Sequence, residues 1–155
     1  MSVIRRETPV APVSPPTASG RPVLLVTLDV PFAPGAAAFG VDSALEAGQP
    51  LVVVNAVESA LLPCSTVLGY EYIPRPDVEA SLRAPAELAR SLGVAVERLR
   101  LCSPHPVAAL LDLVAERRAG LLVFGPDPAF MRRRRFRRAA QAIQRRAPCL
   151  VWLSA

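Results

Sequence analysis

Lysine is absent from the 155 residues, so all 18 basic side chains are arginine. There is a single histidine, His105, and aromatic residues make up only 5% of the chain. A lone histidine excludes metal sites built on several imidazoles, and nothing in the sequence supplies it with the partners of a hydrolytic triad. His105 lies between Pro104 and Pro106 at an expected helix start, where the helix dipole disfavours imidazolium, so it reads as a turn residue at a helix cap. The nearby thiol of Cys102 adds no third partner. The three cysteines, Cys64, Cys102 and Cys149, are widely spaced and odd in number. That pattern is neither a disulfide framework nor a zinc motif, and it fits a reducing, cytoplasmic setting. No apolar run reaches the ~18–20 residues needed to span a bilayer. Arg5 and Arg6 are followed by proline-rich sequence where a signal peptide would carry an apolar stretch, so neither membrane nor export is expected. These absences argue against enzyme chemistry, a metal or a resident cofactor.

Hydrophobic residues make up 52% of the chain. With few aromatics, the core of this single domain must be aliphatic. The 17 prolines crowd the beginning of the chain. Residues 1–21 have no hydrophobic period and read as a disordered or polyproline-II tail, leaving 22–155 as the folded domain. The net charge of +5 is local in origin: Arg132 to Arg146 contains eight arginines and no acid, and the remainder is mildly acidic.

Within the domain, apolar β-branched runs alternate with helical periods. Pro22–Leu28 and Pro50–Val57 are continuous apolar runs, as expected of parallel strands buried on both faces. Val94–Leu101 alternates like a strand nearer an edge, while Leu121–Phe124 and Cys149–Leu153 are short apolar runs. Helices are expected over Gly35–Ala47, Asp77–Leu92 (interrupted by Pro85), Pro104–Arg118 with Ser103 as N-cap, and Arg132–Arg146. Glu58–Pro76 holds three prolines and the pair Tyr70 and Tyr72. Its length and irregularity suggest a lid or a dimer element. The alternation predicts an α/β three-layer sandwich, whose ligand site falls at the carboxyl ends of the strands, near Asp29 and from Gly125 onward.

From Pro22 to Leu153 the sequence resembles the universal stress proteins. LGVAVERLRL at 92–101 resembles that family's third strand. PVAALLDLVAERRAGLLVFG at 106–125 resembles the helix and strand before its phosphate loop. RRAPCLVWL at 145–153 resembles its closing strand, with Leu150 where proline is usual. The resemblance implies a five-stranded parallel sheet in the order 3-2-1-4-5, of the adenine nucleotide alpha hydrolase-like type. It also implies a motif in ATP-binding members: Gly, two residues, Gly, nine residues, then Gly with Ser or Thr. Gly125 matches the first position, but Pro128 occupies the second and has no amide hydrogen to offer a phosphate. Counting forward places Arg138 and Ala139 at the closing pair; counting back from Ala147–Cys149 places Arg137 and Arg138 there. Asp29 matches an acidic nucleotide contact and Ala56 the position beside adenine, although Asp29 is equally the acid expected at any strand-end turn.

The leading expectation is therefore a non-enzymatic stress-response regulator that does not bind ATP at the usual site. One alternative is binding of ATP, AMP or another phosphate anion through Arg132, Arg133, Arg134, Arg137 and Arg138, whose guanidinium forks can replace amides. A second is binding of a polyanion or an acidic partner by the same cluster. The chain is also expected to form a homodimer through Cys149, Leu150, Val151, Trp152 and Leu153. This apolar strand ends the chain at a sheet edge, and the family commonly dimerises there.

Overall fold

The computed structural model describes residues 3–6, 20–59 and 75–154. The chain order is β1 (Val3–Arg6), β2 (Val23–Thr27), α1 (Pro34–Ala47), β3 (Leu51–Glu58), α2 (Pro76–Ser91), β4 (Val96–Ser103), α3 (Pro106–Arg117), β5 (Leu121–Phe124), a short 3-10 turn (Pro128–Phe130), α4 (Arg133–Arg146) and β6 (Leu150–Leu153). The sheet order is β1-β4-β3-β2-β5-β6. From β4 to β6 the five strands are parallel, in the order expected from the sequence.

β1 departs from expectation. Val3–Arg6, assigned from sequence to a disordered tail, lies antiparallel to β4, with Val3 opposite Cys102 and Arg6 opposite Leu99. A proline-poor run of four residues ahead of the proline-rich stretch can occupy an edge whose ladder is otherwise unpaired. The Cys64 and Tyr70–Tyr72 segment proposed as a lid lies within 60–74, outside the described residues.

Both faces of the sheet are covered, so β2 is apolar without alternation. Leu24, Val26 and Leu28 pack on one side with α3 and α4 residues such as Leu110, Val114 and Ile143. Val23 and Leu25 pack on the other with Val41 and Ala44 of α1 and Val78 and Leu82 of α2. Pro85 sits inside α2, which continues through it; the ring is buried and forfeits only the amide bond to Ser81. Ser103 closes β4 instead of capping α3. Its hydroxyl accepts from the His105 amide at 3.1 Å, and His105 occupies the N-cap position with Pro106 first in the helix. Among the described residues no helix is long and apolar enough to cross a membrane.

Helix and strand approach closely where α1 meets the end of β5. Gly125 is buried, and a Cβ built there would collide with that of Ala36 and press on Phe32. Its glycine character follows from helix–strand packing alone. Gly125→Ala should therefore destabilise the protein by about 1–3 kcal/mol with no ligand present. Urea unfolding should show a lower midpoint at unchanged slope; an unchanged midpoint would mean that α1 does not pack this closely.

Candidate functional site

The strand order reverses between β2 and β5, because β2 leads to β3 on one side while β5 and β6 lie on the other. In open α/β sheets the crevice at this point is where ligands enter. Here it is bridged by the chain's own backbone. The Ala33 amide donates to the Gly125 carbonyl at 2.9 Å, and the Asp127 amide donates to the Pro31 carbonyl at 2.8 Å. Phe32 and Pro126 form the β-bridge between these bonds. From the β6 side, the Ser154 amide donates to Phe124 and its hydroxyl donates to the Pro126 carbonyl, both at 3.0 Å.

The remaining donors of this loop are also engaged. Gly125 donates to Val26 at 2.9 Å and Phe130 to Asp127 at 3.1 Å. The Ala129 amide donates to the Asp127 carboxylate at 2.9 Å, which caps the 3-10 turn. Pro126 and Pro128 have no amide hydrogen. From Gly125 to Phe130, each backbone donor is either internally satisfied or chemically absent.

Asp29 takes a left-handed backbone conformation, with φ of 58°. Aspartate tolerates this region better than most residues. The turn is fixed by Asn55, whose Oδ1 accepts from the Asp29 amide at 2.8 Å, and by Thr27, whose hydroxyl donates to the Val30 carbonyl at 2.6 Å. Arg75 reaches the Asp29 carbonyl at 3.4 Å. Ala56 is fully buried in the core cluster shared with Leu99 and Leu101. Asp29 and Gly125 thus flank one crevice, whereas the Ala56 side chain belongs to the core.

The arginines stand at the rim. Arg132 is the N-cap of α4 and makes no side-chain capping bond, and no acid occupies the first turn. Arg132, Arg133, Arg134, Arg137 and Arg138 are exposed. Arg135 lies 3.9 Å from Glu58, which places the start of α4 beside the end of β3. Phe136 turns inward against Phe124, with ring centroids 5.6 Å apart.

At the edge, Leu150 is 76% exposed, while Val151, Trp152 and Leu153 are half-buried. Trp152 is less costly to the monomer than its place in an edge strand implies, because it stacks on Phe39 at 5.0 Å. Cys149 is half-buried, and burial pushes its thiol pKa up, so the reactive thiolate is disfavoured. Among the described residues no cluster of His, Cys, Asp and Glu could hold a metal ion.

Two contributors went unread in the sequence: Asn55 and Ser154. Asn55 is a buried amide inside an otherwise aliphatic strand, and its Nδ2 has no partner among the described residues. That polar break in a VVVNAV run was the available signal. Ser154 carried none, since its role depends on a carbonyl 28 positions earlier. Phe130 is 55% exposed at the head of the arginine cluster.

No curated protein sequence matches the chain. Among solved structures, a universal stress protein from Lactobacillus plantarum superposes with a TM-score of 0.60 at 14% identity, over 87% of this chain and 97% of that one. The Archaeoglobus fulgidus universal stress protein in complex with dAMP gives 0.59 at 17% identity, over 86% and 96%. A universal stress protein in complex with cAMP gives 0.57 at 20% identity, over 87% and 96%. At these identities the likeness is one of fold. The model of the universal stress protein family matches residues 20–154, nearly the whole chain, and the chain belongs to that family.

Proposed function

We propose that this chain is a non-enzymatic, regulatory universal stress protein that works without ATP in the crevice between β2 and β5. The observation that carries this reading is the hydrogen bonding of 125–130, in which no backbone donor remains for a phosphate. Within 125–130 a phosphate could gain a backbone donor only by displacing the Asp127–Pro31 bond or the Asp127 cap, and each exchange returns little net energy. The relatives solved with dAMP and cAMP hold adenine nucleotides. The argument against ATP here therefore rests on these particular residues and not on the architecture. Absence of catalysis is supported by the lone, exposed His105 and by the raised thiol pKa of Cys149. Cys102 and Cys149 form no disulfide, in keeping with a cytoplasmic protein.

Calorimetry with magnesium and ATP should reveal no site tighter than about 100 μM, equivalent to about −5.5 kcal/mol. Low-micromolar affinity would overturn the reading and favour phosphate capture by arginine. In that case Arg→Ala changes at 132, 133, 134, 137 and 138 should abolish binding.

The same reading makes the protein a homodimer through β6. β1 covers the β4 edge of the sheet, which leaves β6 as the terminal strand on the other side. Two-fold pairing would satisfy its backbone groups and bury Leu150. Sedimentation velocity at about 20 μM should show a dimer, and Leu150→Glu should give a folded monomer, because that side chain makes little contact within its own chain. A monomeric wild type, or a dimer indifferent to Leu150→Glu, would exclude this interface.

A further inference from the structure

The outward face of α4 is a basic track with no acidic residue, bordered on one side by the half-buried Ala142. At about 100° per residue, Phe136, Ala139, Ala140 and Ile143 occupy the arc that packs on the sheet. Arg134, Arg138, Gln141 and Arg145 lie on the opposite arc, within about 60° of one another, with Arg137 beside them. All five are exposed. From Arg134 to Arg145 the line is about 16 Å long at 1.5 Å per residue. None of these arginines has a carboxylate partner among the described residues, although Asp112 and Glu116 are exposed on neighbouring α3. Beyond the end of α4, Pro148 borders an open cleft of about 580 Å³ whose other walls include the exposed Arg21 and Arg118.

This arrangement costs stability. Positive charge in the first turns of a helix opposes its dipole, neighbouring arginines repel, and Arg132 provides no side-chain cap. An extended anion lying along the track would relieve each of these terms. We propose that the α4 face binds the phosphodiester backbone of double-stranded nucleic acid, without reading its sequence. Guanidinium forks match phosphate oxygens bidentately, and a line of them with interspersed amides suits a run of phosphates.

The observations favour nucleic acid over the other polyanions. An acidic protein would need an apolar centre to its interface, and this face has none. An anionic membrane would be held by charge alone, because the apolar face of α4 that could insert is already in the core. Phe130 is a single exposed ring, too little for the successive stacking that holds single strands.

The test is fluorescence anisotropy of the full-length protein with a labelled 20-base-pair duplex of arbitrary sequence. Binding with a dissociation constant on the order of 10 μM is expected at 50 mM salt, and four phosphate contacts should weaken it about 150-fold by 200 mM. The variant Arg134→Gln/Arg137→Gln/Arg138→Gln/Arg145→Gln changes only exposed side chains. Circular dichroism should confirm its fold while duplex binding falls at least tenfold and the salt slope flattens. Phe130→Ala should bind duplex as the wild type does. The proposal is overturned by absence of duplex binding at 50 mM salt, or by undiminished binding in the folded quadruple variant. It is equally overturned by tighter binding of polyglutamate or of phosphatidylserine vesicles, or by preference for a single strand that is lost in Phe130→Ala.

Discussion

Two backbone hydrogen bonds, Ala33 to Gly125 and Asp127 to Pro31, join the loop after β2 to the loop after β5, and the character of the site depends on them. They are possible because α1 approaches β5 closely enough that only glycine fits at 125. Pro126 forms the bridge with Phe32, Pro128 opens the 3-10 turn, and Ser154 ties the loop to the last strand. A glycine that could serve a phosphate instead serves the packing of a helix on a sheet. The crevice at the reversal of strand order is bridged by the chain's own backbone.

A second constraint follows from the first. With the amides of 125–130 engaged internally, the arginines at the start of α4 are exposed positive charge at the rim of this end of the sheet. A concave site of backbone donors suits one small phosphate ligand, whereas a line of guanidinium groups suits an extended one.

Much of the fold was legible because burial on both faces of a parallel strand leaves an unmistakable trace. VLLVT and LVVVNAV have no alternation, and the helices between them carry a clear period and αL caps such as Gly48. β1 was not legible, since four residues with two arginines carry no strand pattern and gain their place only from the open edge of β4. That Pro128 stands where the resembled motif has glycine could be read from the sequence. The bridge across the crevice could not, because it rests on contacts between residues some ninety positions apart, such as Ala33 with Gly125. Likewise, the sequence did not show that Asp29 takes a φ of 58° with its amide held by Asn55, features of its backbone that leave the role of its carboxylate as it was.

The claim that the chain closes its own crevice is tested most directly by residue-resolved amide hydrogen exchange with and without millimolar ATP. The amides of Ala33 and Asp127 should be protected nearly as well as those of β2, and ATP should leave both their exchange and their chemical shifts unchanged. Exchange at unstructured rates for these two amides, or shifts confined to 125–130 when ATP is added, would contradict it.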